Sequence, residues 1–138
     1  MNIIGLGKAG CAIADRFSEY QQYKIFKIDV DIEGPSCYTI KYQKGPEEYE
    51  SNAPSLKKFF KGMKGETIFV IGGSGDISAM SLRILEQVKD TCTIDILYIR
   101  PDAQLLSETK KLHEKVTYNV LQNYARSGAI NRMYLISN

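Results

Sequence analysis

The chain has 138 residues, 43% of them apolar and 25% charged, the proportions of one ordinary globular domain over residues 1–138. Folding a chain of this length buries roughly 68–70% of its unfolded surface, enough for a core without staples. The formal net charge of +2 is too small to hold nucleic acid or an anionic membrane, so neither is expected as a partner. No apolar run approaches the ~20 residues of a membrane span. The apolar opening stops at Gly5, too early for a signal peptide. Cys11, Cys37 and Cys92 match no zinc spacing and are odd in number, so they read as buried, reduced thiols of a cytoplasmic protein.

Residues 1–5 (MNIIG) form a short apolar run ending at glycine, the mark of a buried strand. A helix follows over 8–20, with Ala9, Ala12, Ile13 and Phe17 at helical spacing. Residues 23–29 alternate as a second strand, and 37–42 predict a third. The polar stretch 43–52 reads as a loop, and 53–63 as a helix opened by Pro54 with Leu56, Phe59 and Phe60 on its apolar face. Residues 66–71 (ETIFVI) are the strongest strand. A helix over 77–89, a strand over 93–99, a long helix from Pro101 to about Tyr124 and a last strand over 132–137 complete the chain. Alternating strands and helices predict an α/β fold: a three-layer, doubly wound, Rossmann-like, mostly parallel sheet.

Two glycine-rich turns sit between a strand and a helix. The first, Gly5-Leu6-Gly7-Lys8-Ala9-Gly10, has the G-x-G-x-x-G spacing. Its first glycine permits a tight turn, its second lets backbone approach an anion, and its third lets helix and strand pack closely. Free N–H groups at the helix start, with the helix dipole behind them, suit a phosphate, and Lys8 can neutralise it or remain an exposed surface lysine. Asp29 and Asp31, at the end of the second strand, can accept from a ribose hydroxyl or remain solvated. The second turn, Gly72-Gly73-Ser74-Gly75-Asp76, offers another phosphate cradle, with Ser74 as hydroxyl donor or helix cap.

Taken in order, these turns resemble those of the tubulin/FtsZ GTPases. Gly5, Gly7, Gly10 and Cys11 are similar to the family's first nucleotide loop, and Gly72-Gly73-Ser74-Gly75 to its G-G-G-T-G-T-G signature. Tyr118-Asn119 and Asn138 resemble its tyrosine–asparagine pair and its guanine-reading asparagine. The resemblance implies a nucleotide site made of Gly7, Lys8, Ala9, Gly10, Cys11, Gly72, Gly73, Ser74, Gly75, Asp76 and Asn138. It also implies GTP or GDP as ligand, with Mg²⁺, and self-association into head-to-tail cytoskeletal filaments. The acidic loop that completes hydrolysis comes from a second domain in the family and has no counterpart here, so no catalytic residue is assigned. The chain is then expected to be either the N-terminal half of a longer protein or a reduced relative that binds without hydrolysing. Its end, one residue after a predicted strand, favours the former expectation.

Where the family signature closes with threonine and glycine, this chain has Asp76-Ile77. A carboxylate 4 Å from a phosphate charge costs ~1 kcal/mol in water and ~4 kcal/mol at an effective dielectric of 20. A Mg²⁺ between them reverses the sign. Without a metal, Asp76 can itself satisfy the helix start in place of a phosphate. Two other readings therefore stand beside the first: a Rossmann NAD(P)-binding oxidoreductase module, and a nucleotide-free interaction module of the same fold. His113, alone among lysines, is expected to be solvated, and Glu47, Glu48 and Glu50 to form a solvated loop cluster or a segment near a γ-phosphate. The nine tyrosines are expected mostly to keep wet hydroxyls.

Overall fold

The computed structural model describes residues 1–137, and Asn138 lies outside the described residues. Six strands form one parallel sheet: β1 (Asn2–Leu6), β2 (Lys24–Asp29), β3 (Cys37–Thr39), β4 (Gly65–Gly72), β5 (Cys92–Arg100) and β6 (Arg132–Ser137). Their order is β3-β2-β1-β4-β5-β6. The four helices are α1 (Gly7–Phe17), α2 (Pro46–Ser51), α3 (Ser81–Val88) and α4 (Glu108–Arg126). No helix among the described residues is long and apolar enough to cross a membrane.

The apolar runs of β1 and β4 place them centrally, where both faces are covered. Ile4, Leu6, Phe69, Ile71, Ile94, Ile96 and Tyr98 point to one face, under α3, α4 and the segment 53–63. Ile3 and Val70 point to the other, against Ala14 of α1, with Ile68, Leu97 and Ile99 beside them. The result is the three-layer doubly wound architecture that the alternation of elements predicts.

Local departures have local causes. The predicted loop 43–52 contains α2, because Gly45 is extended, Pro46 opens the helix, and Glu47 and Glu48 occupy its first turn. The predicted helix 53–63 is a string of turns instead. The Leu56 amide donates to the Gln87 side chain at 2.6 Å, one helical turn closes from Phe60 N to Leu56 O, and Gly62 then takes φ +77. Leu56, Phe60 and Met63 still reach the core, so their spacing marked burial rather than a continuous helix. The third strand stops at Thr39. Asp76–Met80 is a 3₁₀ turn ahead of α3, and a short 3₁₀ turn, Ala103–Leu105, precedes α4. α4 begins where Ser107 caps it, its hydroxyl accepting from the Lys110 amide at 3.2 Å.

Candidate functional site

In open parallel sheets ligands bind beyond the carboxyl ends of the strands, where the strand order reverses. Here that point lies between β1 and β4, and each of these strands runs into one of the glycine turns. Leu6 is extended, Gly7 takes φ +76, and α1 starts with no side-chain cap. Its first amides are therefore free for an outside acceptor. A Cβ on Gly10 would sit 2.5 Å from the Val70 carbonyl oxygen, and one on Gly5 would sit 2.5 Å from the Gly10 carbonyl oxygen. The glycines let α1 lie directly on β1 and β4.

The second turn abuts the first. A Cβ on Gly72 would lie 3.2 Å from the Ala9 methyl, and one on Gly7 would lie 3.0 Å from Ile77 Cγ2. Ile77 is buried and joins the core, so its branched side chain forms the floor between the turns. Ser78 donates its hydroxyl to the Gly72 carbonyl, and the Gly73 amide donates to Ile99 O at 2.9 Å. These bonds fix the turn from below. Lys8, Ala9, Ser74 and Gly75 are exposed around the rim, Asp76 is half-buried, and Gly7, Gly10 and Gly73 are buried. Lys8 has no ion-pair partner among the described residues.

Cys11 is placed differently from a rim residue. Its sulfur lies 3.4 Å from the Gly5 and Ile28 carbonyl oxygens, against the sheet backbone. Burial pushes the thiol up from 9.0 to about 11. In the folded protein at pH 8, Cys11 is therefore expected to resist iodoacetamide while the half-buried Cys37 and Cys92 react, as read by peptide mass spectrometry. The same shift sets a direction for stability. Above pH 9 the unfolded chain releases this proton before the folded one, so the contribution is intact below pH 9 and is lost as pH rises to about 11. Asp29, at the end of β2, accepts from the Val30 amide at 2.7 Å, and Asp31 is exposed.

A cavity of about 340 Å³ opens on the other side of the second turn, between α2 and α4. Leu82, Val116 and Val120 supply apolar wall, while Glu47, Glu50 and Asp76 bring carboxylates and Lys110 an ammonium. The first turn does not line it. His113 Nε2 lies 3.7 Å from Glu47 Oε1 across its side, so the histidine is half-buried beside an acid rather than freely solvated. Three carboxylates make this cavity a poor place for a polyphosphate. The phosphate-friendly ground is the rim at Lys8 and the start of α1.

Behind the second turn lies a network that the sequence reading missed. Tyr98, an exception among the tyrosines, is wholly buried and donates its hydroxyl to Glu114 Oε1 at 3.1 Å. Burial and the Glu114 carboxylate hold this phenol above its usual range. Tyr118 packs on Tyr98 with centroids 5.6 Å apart, the Arg100 guanidinium lies 4.9 Å over the Tyr118 ring, and Gln122 donates to the Tyr118 hydroxyl at 2.9 Å. Asn119 is exposed. The available signal was the alternation Ile94, Ile96, Tyr98, which points a tyrosine into the core and so demands an acceptor.

Among the described residues no group of three His, Cys, Asp or Glu side chains is placed to hold a metal ion. Mg²⁺ needs fewer, since it is commonly held by one or two carboxylates together with substrate phosphates, and Asp76 on the rim fits that requirement. No protein-family model matches the chain, and the curated proteins contain no match to it.

Proposed function

We propose that this domain binds GTP or GDP in the manner of the tubulin/FtsZ GTPases, holding the phosphates between its two glycine turns. The observation that carries the reading is the contact of those turns at the β1–β4 switch point, with Gly72 against Ala9 and Gly7 against Ile77. In this reading the amides at the start of α1 and the Lys8 ammonium take one end of the polyphosphate, and the rim amides and hydroxyl of Ser74–Gly75 take the other. A Mg²⁺ shared with Asp76 neutralises the remaining repulsion. No group is assigned to hydrolysis.

Head-to-tail self-association is part of the proposal, and the charges support it. Exposed Lys57, Lys58, Lys61 and Lys64 lead into the start of β4, while exposed Glu47, Glu48 and Glu50 lie beyond the opposite, carboxyl ends of the strands. A heterologous contact between such unlike ends extends into a filament.

The strand order favours a second reading, since 3-2-1-4-5-6 is also the dinucleotide-binding order and Asp29 ends β2 as a ribose-binding acid would. Thermal unfolding with GTP, GDP, ATP or NADH, with and without Mg²⁺, separates the two. A ligand at 100 times its Kd adds about 2.7 kcal/mol, roughly 10 °C in a domain of this size. The expected result is stabilisation by GTP and GDP above ATP and NADH, enhanced by Mg²⁺ and reduced in Lys8→Ala. Stabilisation by NADH alone selects the dinucleotide reading. No response to any nucleotide, in the natural protein and in Asp76→Thr, overturns both.

A further inference from the structure

One edge of the sheet is open in a way the other is not. β3 ends the sheet with three residues, Cys37–Thr39, too short to template much pairing. β6 ends it with six, Arg132–Ser137, paired without interruption to Asp95–Arg100 of β5 on one side and, among the described residues, to no strand on the other. Natural edges are usually blunted by central charges, proline or a bulge. The sequence RMYLIS has one charge, at its first position, and no proline.

Met133 packs on the core, but the three residues after it leave apolar side chains exposed on both faces of β6. Tyr134, Leu135 and Ile136 are 47%, 47% and 42% exposed. Tyr134 neighbours Leu97 and Ile136 neighbours Ile99, on the face that carries α1. α1 packs on β1, β2 and β4. Leu97, Ile99, Tyr134 and Ile136 therefore form a continuous apolar strip beside it. Leu135 neighbours Tyr98 on the opposite face.

The geometry points to a second copy of this chain as the occupant of that edge, paired β6 to β6 in antiparallel fashion about a two-fold axis at Tyr134. Length selects this arrangement: β6 against β3 of another copy offers only three residues to pair, whereas β6 against β6 pairs the five residues Arg132–Ile136 with themselves. Chemistry selects the register. With the axis at Tyr134, Tyr134 faces its own copy, Met133 faces Leu135, and Arg132 faces Ile136. Every pair then keeps its side chains on one face, no like charges meet, and the apolar strips of the two copies join. The contact is isologous and closes at two subunits, so it is distinct from any head-to-tail contact and needs no nucleotide.

Sedimentation equilibrium of the nucleotide-free chain, from low micromolar to 200 µM, tests the proposal. The expected result is a monomer–dimer equilibrium that saturates at two. Tyr134→Lys with Ile136→Lys sets lysine against lysine and lysine against Arg132, and is expected to weaken the dimer by ~100-fold or more. Both positions are exposed, so an unchanged urea midpoint, measured at a concentration where the natural chain is monomeric, confirms that the variant is folded. Oxidation of Tyr134→Cys is expected to give a cross-linked dimer, and Tyr42→Cys, 74% exposed elsewhere, is expected to give none. A monomer at every concentration, a dimer indifferent to the lysine pair, a Tyr134→Cys protein that does not cross-link, or an open-ended ladder of species each overturns the β6 pairing. None of these results depends on whether guanine nucleotides bind.

Discussion

Gly10→Ala is expected to lower the unfolding free energy by about 3 kcal/mol and to abolish the proposed nucleotide binding, although the change adds a single methyl group. Two terms compete. Alanine is the better helix former by about 1 kcal/mol, and in an open helix the substitution stabilises. Here the new Cβ meets the Val70 carbonyl oxygen at 2.5 Å. Val70 is in the central strand, wholly buried and hydrogen-bonded on both sides, so it has no room to move. α1 cannot slide either, because the Gly10 carbonyl already lies 2.5 Å from where a Gly5 Cβ would be. The overlap is therefore relieved only by lifting α1 off β1 and β4, which removes the free amides from the crevice. Gly7→Ala provides the scale. It strains a residue at φ +76 by ~1–2 kcal/mol, but the nearest atom, Ile77 Cγ2, lies 3.0 Å away, a milder overlap than the 2.5 Å at Gly10. Urea unfolding is expected to rank Gly10→Ala below Gly7→Ala with m unchanged, and a stabilised Gly10→Ala would contradict the close packing.

Gly73→Ala is expected to cost about 2 kcal/mol for a different reason, and a second change should return part of it. A Cβ there overlaps the Tyr98 hydroxyl and approaches its ring carbon Cζ to 2.8 Å. Tyr98 cannot swing aside, because it is wholly buried and its hydroxyl is tied to Glu114. Tyr98→Phe alone is expected to cost ~1–2 kcal/mol, through the lost bond to a carboxylate. In the double variant the hydroxyl is gone before the methyl arrives. The two losses are then expected to fall short of additivity by about 1 kcal/mol. The ring carbon Cζ, which phenylalanine keeps 2.8 Å from the same position, and Pro101 Cδ at 3.0 Å keep the recovery partial. Urea unfolding of the four proteins in the cycle measures this term, and strict additivity would show that Gly73 and Tyr98 do not share the space.

The parts of the fold legible in sequence are those written by burial. β1 and β4 are central strands and read as apolar runs, and β6 is placed at 132–137 because Ser127-Gly128 ends the helix before it. Gly5, Gly10 and Gly72 are legible because their spacing states a steric need that the structure meets with contacts of 2.5–3.2 Å. Residues 43–63 were not legible. Their helix is six residues long and polar outside, and the apolar spacing of Leu56, Phe60 and Met63 was produced by turns docked on the sheet. The cavity between α2 and α4 depends on where those short pieces settle. The Tyr98–Glu114 bond joins residues sixteen apart through two different elements, and only the packing of α4 on β5 brings them together.

The strand order also dictates when the candidate site can exist during folding. β1 is made first, yet its second hydrogen-bonded neighbour is β4, with Asn2 opposite Thr67. The chain thus has an early half, β3-β2-β1, and a late half, β4-β5-β6, joined along the single β1–β4 seam. Closing that seam carries the loop entropy of the intervening segment, and such non-local pairing is slow. Both glycine turns lie at one end of the seam. A polyphosphate held between them is a clamp across the joint, so its binding energy would act against the opening motion that separates the two halves.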